Sequence, residues 1–284
     1  MFAGCCHYDS YVIYWHVKST TRQTFSQVGR WQAPAAGTSS RPCTWRSRHI
    51  PRALCGGGAL FFDTVPERAV LADWNPRLVR TYRAVRDNPE AVIARLATYP
   101  NEKEFFLKMR QKDIDEDSDE DLAAWMIFLN KTGFNGLYRV NRRGGFNVPF
   151  GRYKNPKICD ADNLRAASER LQGVEILHGD FRDVEHRCKP GDFVYFDPPY
   201  VPASNTASFT AYTKNGFNLE DQAELRDLAM RLKEKGVSVL LSNSSVPEVH
   251  ALYAEGFERI EIFANRAINS NAAKRGKVAE ALIW

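Results

Sequence analysis

The 284-residue chain has no apolar run near the roughly 18 residues that a membrane-crossing helix needs. Its opening, MFAGCCHYDSYVIYWHV, has neither a basic leader nor a clean apolar block. That argues against a signal peptide and for a cytoplasmic protein. Six cysteines occur, at Cys5, Cys6, Cys43, Cys55, Cys159 and Cys188, and none forms a C-x-x-C pair. Reduced thiols and no structural metal are therefore expected. Acid is nearly missing from residues 1–54, where Asp9 stands alone. The same segment holds three of the six Trp, three of the six His and three of the six Cys, and shows no sustained periodicity. A net charge of +5 permits a polyanionic partner without requiring one.

From Cys55 onward the pattern is regular. A glycine loop, Gly56-Gly57-Gly58, precedes ALFF. RAVLAD, VEILHGD, DFVYFD, VSVLLSN and RIEIFA read as strands, and EALIW as a last one. The runs 75–99 (broken at Asn88-Pro89), EKEFFLKMRQ, EDLAAWMIFLNKT, ADNLRAASERLQ, LEDQAELRDLAMRLKEKG and VPEVHALYAEG read as helices. Strands alternating with amphipathic helices predict an α/β protein with a mostly parallel sheet covered on both faces. DIDEDSDED, with seven acids in nine residues, reads as a solvated linker or helix entry. Residues 134–157 carry six basic groups and no acid, and NRRGGFN has the chemistry of a hairpin turn.

Such sheets bind ligands outside the carboxyl ends of their strands. The candidates are therefore the three glycines, Asp73, Asp180, Asp197 and Ser242-Asn243. The glycines followed by Asp73 suit close approach to a ligand and hydrogen bonds to ribose hydroxyls. An Asx turn before Asn75-Pro76 is the plainer alternative. Asp180 can accept from an adenine amino group while Phe181 packs on the ring. In FVYFDPPY the strand ends at Asp197-Pro198-Pro199-Tyr200. The carboxylate accepts hydrogen bonds, the prolines fix a backbone whose carbonyls are free to accept, and the ring can stack. Together they suit a flat group bearing an amine. Acceptors on both amino hydrogens favour a pyramidal nitrogen with an exposed lone pair. Chance would supply this tetrapeptide in about one such chain in a thousand at average residue usage.

DPPY with its strand, GGGALFF, LADWNP, HGDF and GLYRVNRRGGFNVPFGRYK together resemble the Dam family of DNA adenine-N6 methyltransferases, over about Cys55 to Trp284. The resemblance implies a Rossmann-like catalytic domain at 55–100 and 158–284, with a helical and hairpin target-recognition insert at 101–157. It implies S-adenosyl-L-methionine as methyl donor, double-stranded DNA as partner, and adenine, first of all in GATC, as acceptor. It places the donor on Gly56, Gly57, Gly58, Asp73, Asp180 and Phe181, and catalysis on Asp197, Pro198, Pro199 and Tyr200. It places DNA on Arg139, Asn141, Arg142, Arg143, Asn147, Arg152 and Lys154. Phe209 and Tyr212 would help to close the site. A monomer, with a cognate restriction endonuclease as companion, is expected.

The family's Trp-Ala-Gly-Gly-Lys opening is absent, and RHIPRAL, with a proline and two arginines, makes a poor first strand. Residues 1–54 thus read as a disordered, frame-shifted or unrelated upstream segment. That leaves an inactive DNA-binding remnant as the competing function, with a methyltransferase for RNA or protein amides as a third.

Overall fold

The computed structural model describes residues 51–54, 58–64, 66, 68–141, 143–202, 217–265 and 277–284. Residues 1–50, Gly56, Gly57, Arg142, Phe209 and Tyr212 lie outside the described residues. The chain is a mixed α/β protein. Its strands are β1 (Pro51–Leu54), β2 (Val70–Asp73), β3 (Glu175–His178), β4 (Phe193–Phe196), β5 (Ser238–Ser244), β6 (Arg259–Asn265) and β7 (Lys277–Ile283). Its helices are α1 (Ala59–Thr64), α2 (Pro76–Asp87), α3 (Pro89–Ala97), α4 (Lys103–Gln111), α5 (Asp119–Thr132), α6 (Ala161–Leu171), α7 (Val184–Arg187), α8 (Leu219–Glu234) and α9 (Pro247–Leu252). Among the described residues no helix is long and apolar enough to cross a membrane.

One sheet runs β3-β2-β1-β4-β5-β7-β6. Pairings from β3 through β5 are parallel, while β7 lies antiparallel to both β5 and β6. The segment that reads as a poor strand is β1, paired on both edges. Pro51 is its first residue, where a missing N–H costs least, and two flanking strands override weak local propensity.

The register sorts the core. Leu71 and Ile176 are paired and belong to one cluster, packed with buried residues of α2, α3, α4, α5 and α6. Val194 pairs Val239 and Phe196 pairs Leu241; these join a second cluster with α8 and α9. Side chains alternate across a strand, and the pairing of Ala53 with both Leu71 and Tyr195 puts Leu71 and Val194 on opposite faces. The clusters therefore cover opposite sides. Helix α5 is buried from Leu122 through Asn130, as expected of a helix apolar all round at the centre of a layer.

The acidic run is a helix entry: Ser118 caps α5, and Asp119, Glu120 and Asp121 fill its first turn. It is also an ion-paired segment rather than a free linker. Asp115 pairs with Arg77, Asp119 with Arg80, Asp121 with Arg95 and Asp117 with Lys112. Arg80 also donates to the carbonyls of Asp115 and Asp117, at 2.7 and 2.6 Å. Charge density along a sequence says nothing of cations supplied by other helices, and here α2 and α3 supply them.

Candidate active site

Parallel pairing puts the carboxyl ends of β3, β2, β1, β4 and β5 along one edge. Ala53 of β1 pairs with both Leu71 and Tyr195. Two residues further, Asp73 and Asp197 are therefore level and on the same face. Two strand spacings separate them, roughly 10 Å.

Asp197 follows β4 and keeps part of its surface open. The Ser242 hydroxyl of β5 donates to Asp197 Oδ1 at 2.6 Å, and the Tyr195 hydroxyl donates to Ser242 Oγ at 2.9 Å. Ser242 has one proton, so receiving from Tyr195 directs that proton at the carboxylate. Desolvation raises the Asp197 carboxyl above its ordinary range, and hydrogen bonding from Ser242 and Tyr200 pulls it back. Burial, with the Asp197 charge second, pushes the Tyr195 and Tyr200 phenols well up, so both remain proton donors.

The backbone beyond Asp197 is held from beneath. Gln222 of α8 donates to the Pro199 carbonyl at 2.9 Å and accepts from Asn243 Nδ2 at 3.1 Å. Asn243 Oδ1 accepts from Val201 N at 3.0 Å, and Ser244 Oγ donates to the Val201 carbonyl at 2.6 Å. Gln222, Asn243 and Ser244 are all buried. The expectation that both proline carbonyls stay free thus fails at Pro199. Among the described residues nothing donates to the Pro198 carbonyl, which leaves it as the acceptor beside Asp197.

Asp73 is buried, and its Oδ1 accepts from Asn75 N at 2.8 Å, forming the Asx turn that precedes α2. Gly179 N donates to the Asp73 carbonyl at 3.2 Å, which ties the end of β2 to the loop bearing Asp180. Asp180 accepts two bonds from Arg182 Nη1, both at 3.0 Å, and that guanidinium lies 4.4 Å over the Phe181 ring. Phe181 is buried and also meets Phe217 edge-on. A cavity of about 290 Å³ is lined by Val70, Ala72, Leu177, His178, Asp180 and Val194, among others. By alternation it lies across the sheet from Asp73 and Asp197, neither of which lines it. Gly58 has φ +63, and a Cβ there would sit 2.7 Å from the Tyr82 hydroxyl. Protein packing thus already requires a glycine at this position.

The predicted turn at NRRGGFN is present: Val140 bridges Phe146, and Asn141 N donates to the Gly145 carbonyl at 2.8 Å. Asn141 Oδ1 accepts from Arg143 N and Gly145 N, at 2.8 and 3.1 Å, so its side chain shapes the turn. Arg139 donates to the Asn147 carbonyl through Nε and Nη2, at 2.9 and 2.5 Å, and staples the two arms. Arg143, Asn147, Arg152 and Lys154 are exposed. Arg152 adopts φ +56, which is unusual for a residue with a Cβ.

Sequence reasoning missed Tyr195, Gln222, Ser244, Arg182 and Trp74. Trp74 is 68% exposed beside Asp73, with His178 at 5.9 Å. An aromatic directly after a strand-end acid was the available signal. For Gln222 there was none.

The fold and site are those of an α/β protein whose Asp-Pro-Pro-Tyr corner, at the end of a central strand, sets a carboxylate beside a backbone carbonyl, a pair of acceptors that suits a planar amine. The chain belongs to the D12 class of N6 adenine-specific DNA methyltransferases, whose family model matches residues 54–268. It is 44% identical over 243 residues to the type II methyltransferase M1.LlaDCHI of Lactococcus lactis subsp. cremoris, covering 83% of this chain and 85% of that one. It is 38% identical over 246 residues to the DNA adenine methylase of Vibrio cholerae, covering 83% and 88%. With the DNA adenine methylase of Escherichia coli K12 it shares 36% over 248 residues, covering 83% and 87%.

Proposed function

We propose that this chain transfers a methyl group from S-adenosyl-L-methionine to N6 of adenine in duplex DNA, at GATC. The observation that carries the reading is Asp197: a partly open carboxylate held by Ser242 and Tyr200, beside a Pro198 carbonyl to which nothing donates among the described residues. Asp197 Oδ2 and the Pro198 carbonyl accept the two amino hydrogens of the target, and Tyr200 stacks on its ring. Burial raises the Asp197 carboxyl, which makes it a better acceptor for the proton that the amine sheds. Adenine within a duplex is out of reach, so the base must leave the stack.

The carboxyl edge of the sheet supports a place for the donor. Asp73 ends β2, its carbonyl is bonded by Gly179 next to Asp180, and an exposed Trp74 follows it, while the cavity that Asp180 lines opens on the other face of the sheet. Asp73 would hold the ribose, and Asp180 with Phe181 the adenine, beside Gly56, Gly57 and Gly58. The donor, when bound, supplies an electrophilic methyl carbon; the protein's work is to set the amine in line with it. In this reading 55–100 and 158–284, together with β1 (Pro51–Leu54) inside their sheet, form a Rossmann-like catalytic domain and 101–157 the target-recognition insert. Arg142 and Arg143 read bases, while Asn147, Arg152 and Lys154 meet DNA at its backbone. Arg139 and Asn141 shape the hairpin. Relatives named type II methyltransferases support a companion restriction endonuclease, and we take the working unit to be a monomer.

Tritiated S-adenosylmethionine with GATC duplexes and single-base variants tests this. Label on adenine N6 in GATC alone is the expected result. Duplex binding without label marks a DNA-binding remnant, and label in RNA alone overturns the DNA assignment.

A further inference from the structure

Arg77 lies in the first turn of α2, four residues past Asp73. Its Nε and Nη2 donate to the two carboxylate oxygens of Asp115, at 2.6 and 2.7 Å. Its Nη1 donates to the Gly144 carbonyl at 2.7 Å. The guanidinium sits 5.5 Å from the centre of the Trp125 ring, and the side chain is only 13% exposed. Three groups from three parts of the chain therefore meet at one cation. Asp115 is itself steadied, since Arg80 holds its carbonyl.

Gly144 directly follows Arg143 in the hairpin turn and has φ +77. From within, the turn is closed by Asn141. From outside it is tied to α2 by Arg77 alone among the described residues. We propose that Arg77 is a specificity-determining positioning residue: through the Gly144 carbonyl it fixes the reading turn against α2 and so sets where Arg143 meets a base edge. This rests on the reading that the hairpin faces DNA.

Two points separate this from simple packing. A planar fork can hold a carboxylate with one edge and a carbonyl with the other, which a lysine ammonium does not reproduce. And a turn fixed before DNA arrives loses less freedom on binding, an effect felt most where contact geometry is exacting, at base edges rather than phosphates.

The test compares wild type with Arg77→Ala and Arg77→Lys. Duplex binding and kcat/KM are measured on GATC and on single-base variants, with salt dependence and melting temperature alongside. Both variants are expected to lower the ratio of kcat/KM for GATC over its variants by about tenfold. The same loss should appear in the binding ratio, with kcat on saturating GATC, KM for the donor and the salt slope unchanged. A uniform loss across sequences with a shallower salt slope would make Arg77 a phosphate contact. A lowered melting temperature with undiminished discrimination would make it a packing residue. Either overturns the proposal. If Arg77→Ala does not fold, Arg77→Lys, which keeps stem and charge, reads the same quantities. A wild type that neither methylates nor selects among duplexes overturns the DNA reading and this inference together. A selective wild type with equally selective variants overturns this inference alone.

Discussion

Around Asp197 the supporting groups are buried and bonded to one another: Tyr195 to Ser242, Asn243 to Gln222, Ser244 to the Val201 carbonyl. Along the hairpin, Arg143, Asn147, Arg152 and Lys154 stay in solvent, and the order is imposed by Asn141 and Arg139 within and Arg77 without. A corner that must place one amine needs acceptors that do not move and a low local dielectric. A surface that must meet a polyanion needs charge kept in water until contact, on a backbone already shaped. Changes in the first region should therefore be felt in turnover and stability, and changes in the second in selectivity and salt response.

The largest effect should come from Asp197→Ala, which removes the acceptor itself. Transfer should fall by at least about 1,000-fold, the scale for loss of a central electrostatic group, while duplex binding by anisotropy stays near wild type. Retained turnover would dissolve the contrast between the regions.

Ser242→Ala keeps Asp197 but removes its strongest fixed donor. We expect kcat to fall about 10- to 100-fold with little change in KM for DNA. The sign of the pH effect follows from the cause. Activity needs the ionised carboxylate, and the Ser242 bond favours that form against desolvation. Without it the acid limb of the kcat profile should move to higher pH. Tyr200 remains as a second donor, and the Tyr195 phenol stays neutral across this range. A limb that does not move would show that Ser242 only fills space.

Gln222→Ala strands the Pro199 carbonyl and Asn243 Nδ2 in a buried setting. It should lower unfolding stability by about 2–4 kcal/mol, from two unsatisfied groups, measured by urea denaturation. A loss under about 0.5 kcal/mol, the scale of an ordinary surface change, would show that water replaces the amide.

These residues also mark how far the sequence was legible. Apart from the one-turn α7, helices and strands from β2 to α9 were legible through their apolar patterning, most of them because they bury one face. DPPY was legible because its chemistry is odd for a strand end. Gln222 was not, since one glutamine on an amphipathic helix looks like any other and its partners lie 21 and 23 positions away. Arg77 is paired 38 and 67 positions away. The acidic run was legible as a helix entry but not as an ion-paired segment, for the same reason: a local window shows seven acids and hides the arginines of α2 and α3. Strand β1 was hidden by Pro51 and its arginine, because pairing on both edges is a property of the sheet. The antiparallel place of β7 between β5 and β6 likewise leaves no local mark.

On the exposed side the effects should be smaller and of another kind. Arg143→Ala should reduce discrimination between GATC and its variants by about 1–3 kcal/mol with unchanged kcat on saturating DNA. Lys154→Ala should do less, and uniformly. Lys154 is exposed beyond Arg152, with no charged partner among the described residues, so it offers a point charge and no fixed fork. A point charge near phosphate releases about one counterion on binding. The slope of log K against log salt should therefore shrink by about one, with every sequence weakened alike. If instead Lys154→Ala changes the ranking among sites, the reading surface extends past the Arg77-anchored turn, and the hairpin must be divided differently from the way its exposed side chains suggest.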